Sequence, residues 1–119
     1  MNAGTGSREP RETLAAERAS TQERLGGLER EFAGIVDSSA SANADDEHDP
    51  EGATIAFERQ HIAALIEQAR DQLAAIDAAL RRTEEGTYGR CEACGRPIAP
   101  ERLAARPTAT RCVACASRR

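Results

Sequence analysis

Apolar side chains recur along the first third of the chain at Leu14, Leu25, Leu28, Phe32 and Ile35. Arg18 and Thr21 fill the missing steps of the same alternation of four and three residues. The row is therefore a heptad seam, polar in its first half. It predicts a helix from about Pro10 to Val36, weakened at Gly26 and Gly27 by roughly 1 kcal/mol each. A second row comprises Ile55, Ile62, Ile66, Ala69, Leu73, Ile76, Leu80 and Thr83, and from Ile62 onward its alternation is unbroken. It predicts a helix over about 53–84. Gly86 would stop it, because glycine accepts the left-handed backbone with which many helices end. Between the two rows lies DSSASANADDEHDPEG, residues 37–52, with six acids, one histidine and no arginine. Its serines, asparagine, aspartates and Pro50 predict a loop.

Two seams of similar length joined by one loop predict an antiparallel helical hairpin. Leu14 would lie near Leu80, and Ile35 near the start of the second helix. Each helix would bury its stripe against the other, since neither is stable with that stripe in water. The acidic segment would form the tip, and whatever follows Gly86 would sit at the base. A coiled coil between two chains is the alternative; a loop midway between matched seams favours a hairpin within a monomer.

Composition narrows the fold further. Phe32, Phe57 and Tyr88 are the only aromatic residues, and 30% of the chain is charged. A large globular core is excluded, because aromatic side chains normally supply much of its burial. Residues 86–119 carry seven arginines and two glutamates, a charge of +5, whereas the first 85 residues carry nine arginines and 18 acids, −9. No apolar run approaches the ~18 residues of a membrane span. The N-terminus lacks the apolar stretch of a signal peptide. A cytoplasmic location without membrane association is expected.

The last thirty residues hold all four cysteines, spaced Cys91-x2-Cys94-x17-Cys112-x2-Cys115. Each CxxC lets two sulfurs of one tight turn reach one ion, and two such pairs complete the tetrahedron that zinc prefers. Gly95 follows the first pair, where the backbone must bend back. Pro107 stiffens the approach to the second. So short a segment has too little core to fold without a metal or disulfide, and in a reducing compartment the metal is favoured. Four cysteine ligands leave no open position for water, so the single Zn²⁺ would be structural. His48 and His61 are expected to be ordinary surface residues.

The predicted fold class is all-α with a small zinc module. It divides into a disordered tail at 1–9, a hairpin at 10–85 with its acidic tip at 37–52, and a four-cysteine finger at 86–119. Enzyme activity is not expected. The acids near the tip have no apolar surroundings to shift a pKa, and no nucleophile–base pair or phosphate-binding glycine loop is present.

The stretch GTYGRCEACGRPIAPERLAARPTATRCVAC closely resembles the DksA/TraR family of bacterial zinc-finger proteins. The matching features are Gly86, Tyr88-Gly89, CxxCG, Ile98, Arg102-Leu103, Ala105, Pro107, Ala109 and the closing CxxC. The resemblance implies a coiled-coil finger mounted on a zinc module, with RNA polymerase as partner. It further implies that the coiled coil enters the secondary channel of the polymerase, that acidic tip residues approach the catalytic region, and that the alarmone ppGpp acts at the polymerase interface. Regulation would not involve sequence-specific DNA binding. The family's tip motif, DxxDxA, is altered here: Glu51 takes the place of the second aspartate and Ala53 that of the alanine, while His48 or Asp49 takes the place of the first. Asp45, Asp46, Asp49, Glu51 and Ala53 are thus the polymerase-facing candidates. Two other readings remain. One is a zinc-stabilised coiled-coil adaptor for a different partner. The other is a DNA-binding finger, disfavoured because the spacing matches GATA-type fingers but their tryptophan-containing segment and basic tail are missing.

Overall fold

The computed structural model describes residues 9–43 and 50–118, and the side chains at 9–37 and 52–118. Four helices run in chain order: α1 (Pro10–Asn43), α2 (Pro50–Glu85), α3 (Pro100–Ala105) and α4 (Val113–Ala116). The only extended pairing among the described residues is an isolated antiparallel bridge between Arg90 and Pro97. The protein is all-helical, a long antiparallel hairpin followed by a small cysteine module. No helix among the described residues is long and apolar enough to cross a membrane.

Helices α1, α2 and α3 each open on a proline. Proline suits that position, because its fixed φ is helical and its missing N–H has no helical partner to lose. This explains a departure from the pattern-based boundaries. Pro50 begins α2 instead of marking a loop, and α1 continues past Val36 to Asn43. The added residues are mostly serine and alanine, which cost a helix little. α1 also passes through Gly26-Gly27 without a break. Of the expected tail at 1–9 only Glu9 is described; it is exposed, and its carbonyl accepts the Thr13 amide at 3.1 Å.

The chain forms two compact units. The first joins residues 9–19 of α1 to residues 73–118. Here Leu14, Ile76 and Ala79 are fully buried, with Leu80 and Tyr88 packed against them. Leu14 meets the Leu80 region as the antiparallel pairing predicts. Ala79 was absent from the predicted seam. A helix packed in a globular unit buries a stripe wider than one heptad row, and the position before Leu80 falls inside it. Arg18, the polar step in the first row, donates from Nε to Asp77 Oδ1 at 2.6 Å. The seam is thus completed by an ion pair across the helices.

The second unit comprises residues 20–72. Thr21, Ile62, Ile66 and Ala69 are buried, whereas Leu25, Leu28, Phe32 and Ile35 are half-buried. Arg70 donates to Glu29 at 3.2 Å across the pair. Ile35 and Ile55 line one shallow groove, which brings the end of the first row to the start of the second. Phe57, off the seam, is 75% exposed.

Candidate metal centre

α2 ends as its sequence predicts. Gly86 has φ +79°, and the Thr87 amide donates back to the Arg82 carbonyl at 3.0 Å. That bond closes the last turn and directs the chain into the cysteine module. Tyr88 follows two residues after Gly86. Its ring packs on the Leu14 cluster, and its hydroxyl donates to the Pro107 carbonyl at 2.8 Å. Burial pushes the phenol above its ordinary value of 10.0. One side chain therefore ties the hairpin base to the segment that leads into the second cysteine pair.

The first CxxC forms a tight knuckle. The Cys91 amide donates to Arg96 O at 2.8 Å and the Gly95 amide to Cys91 O at 2.9 Å. Gly95 has φ +77°, the left-handed turn expected of it. The second CxxC opens a helix: Cys112 is the N-cap of α4 and Cys115 lies within it. Cys91, Ile98 and Cys115 are buried together, with Leu103 and Cys112 packed against them. Cys94 is exposed.

These two turns bring all four Sγ atoms within 4.8 Å of one another, with Cys94 and Cys112 3.9 Å apart. A tetrahedron built on Zn–S bonds of about 2.3 Å has edges of about 3.8 Å, so the donor set fits zinc in number, softness and size. The electrostatics agree. A backbone hydrogen bond from Cys112 is the main cause that draws the Cys91 thiol down to about 6, and one from Cys115 lowers Cys112. Cys115 is pushed up to about 12, chiefly by its hydrogen bond with Cys91. Sulfurs this close resist ionising together unless a cation sits among them.

The tip candidates are less fully described. Asp45, Asp46 and Asp49, with His48, lie outside the described residues. Glu51 falls in the first turn of α2, its side chain outside the described set, and Ala53 is exposed on the same helix. His61 is exposed, as expected for a surface residue. Sequence reasoning gave no role to two features: the Tyr88 tie, and the bonds that the Glu92 carboxylate accepts from Thr110 and Arg111. The available signals were the only tyrosine of the chain standing two residues after a helix stop, and opposite charges flanking Cys91 and Cys112.

Residues 86–119 match the profile of the prokaryotic dksA/traR C4-type zinc finger. The solved structure of the transcription factor DksA2 from Pseudomonas aeruginosa superposes with a TM-score of 0.75 at 31% identity, covering 90% of this chain and 77% of that one. The chain belongs to the DksA/TraR family. Among curated relatives, the uncharacterized protein YteA of Bacillus subtilis is 43% identical over 74 residues, 62% of this chain and 31% of that protein. The RNA polymerase-binding transcription factor DksA of Caulobacter vibrioides is 58% identical over 41 residues, 34% of this chain and 29% of that protein. The chain thus matches under a third of the length of these two relatives, whereas its likeness to DksA2 extends through hairpin and finger alike.

Proposed function

We propose that this protein is a transcription regulator that binds RNA polymerase. The observation that carries this reading is the likeness to DksA2 across both hairpin and finger. Cys91, Cys94, Cys112 and Cys115 would hold one structural zinc ion, which supplies the charge that lets four thiolates share a site. The hairpin would enter the secondary channel of the polymerase. Asp45, Asp46, Asp49 and Glu51 would present negative charge there, with Ala53 beside them, and ppGpp would act at the resulting interface. Charge favours this division of labour. An acidic hairpin suits a basic-lined channel and is repelled by nucleic acid. The protein would work as a cytoplasmic monomer, without catalysing a reaction.

The test is an in vitro transcription assay with purified polymerase, comparing the native chain with the double variant Asp49→Ala/Glu51→Ala. Native helicity with altered promoter output by the native chain only is the expected result. Equal output from the two proteins would contradict an active tip.

A further inference from the structure

The two cysteine pairs are joined by more than the metal they would share. Glu92 directly follows Cys91, and Arg111 directly precedes Cys112. The Glu92 amide donates to the Thr110 carbonyl at 2.8 Å. Its Oε2 accepts from Thr110 Oγ1 at 3.2 Å and from Arg111 Nε at 3.3 Å. The carbonyl of Arg111 in turn accepts from Arg102 Nε of α3 at 2.7 Å. One residue thus clasps the first knuckle to the segment entering the second, beside the cysteines that would face each other across an ion.

We propose that Glu92 is a positioning residue of the metal centre, holding the two cysteine pairs in register for zinc. The inference rests on the zinc-binding reading above. Cys91 and Cys112 come from segments far apart in sequence, and a tetrahedral site tolerates little error in where their sulfurs meet. The zinc bonds would otherwise have to recover the entropy of fixing one knuckle against the other. With the clasp in place, much of that ordering precedes the metal. Glu92 is not itself one of the four donors. It acts by geometry, as an acceptor for two donors of the opposite segment.

The measurement is the zinc dissociation constant of the full chain, by competition with a chromophoric chelator. It is made for the native protein, Glu92→Ala, Glu92→Gln and a Glu101→Ala control. Glu101 lies in the first turn of α3, so its loss removes the same charge from the same module. Glu92→Ala should weaken zinc roughly tenfold, at the low end of the range for groups that support metal ligands. The low end is expected because Glu92 and Arg111 side chains are 56% and 51% exposed. Glu92→Gln keeps an oxygen acceptor and should recover most of the affinity; Glu101→Ala should leave it unchanged. Equal weakening by Glu101→Ala would show a bulk charge effect and overturn the proposal. So would an unchanged constant in Glu92→Ala. A native chain that binds no zinc would instead overturn the metal reading itself.

Discussion

Asp77 shows what a single residue does in this hairpin. Its hydrogen bond from Arg18 holds its carboxyl below the ordinary value of 3.8. A carboxylate lowered in the folded state stabilises the fold above its unfolded pKa, and that contribution is lost as pH falls through the folded value. Asp77→Asn should therefore melt below the native protein at neutral pH, with the gap closing as pH drops below about 4. Thermal melts across that range check it, and a gap that persists in acid would refute the ionic origin. Cys94→Ser removes one of the four donors that meet within 4.8 Å. Bound zinc should fall to a trace by elemental analysis, because three thiolates and a hydroxyl make a poor structural site. An unchanged zinc content would refute the assignment of Cys94. Gly86→Ala places a Cβ at φ +79°. It should cost about 1 kcal/mol in denaturant unfolding, the usual penalty for a side chain in left-handed backbone.

Elements were legible where one force fixes them. The row from Ile62 to Leu80 announced a helix because its stripe must be buried, and Ile62, Ile66, Ala69 and Ile76 are buried in the structure. The cysteine pairs were equally plain, since ligand number and spacing leave few ways to surround one ion. Gly86 and Gly95 declared their turns by needing positive φ. Helix ends were less legible. Serine, alanine and a leading proline are compatible with both loop and helix, so the boundary past Val36 and before Ala53 was set by context. Ala79 and the Glu92 clasp escaped because each depends on a partner that only packing supplies. The strongest packing prediction concerns Leu14, fully buried against Ile76 and Ala79. Leu14→Ala should destabilise the hairpin base by about 2–5 kcal/mol, the range for emptying a core leucine site. Chemical denaturation followed by helical circular dichroism measures it. A cost near zero would mean that the helices separate at that end.

At the scale of the molecule, charge and fold point the same way. Negative charge is concentrated in the helical part and positive charge in the finger, −9 against +5. The hairpin base and the finger share one compact unit, joined through Tyr88 and its bond to Pro107. The finger is thereby anchored on the paired ends of α1 and α2 within that unit. The most direct test of the account is an equilibrium binding titration of the zinc-loaded chain against RNA polymerase core enzyme from a related bacterium, with the zinc-stripped chain beside it. Saturable binding at or below about micromolar concentration by the zinc-loaded protein is expected, a binding free energy of about 8 kcal/mol, with much weaker binding by the stripped one, because folding of such a finger is coupled to its metal. No binding by the zinc-loaded protein at that concentration would contradict it and leave a metal-capped hairpin that serves another partner.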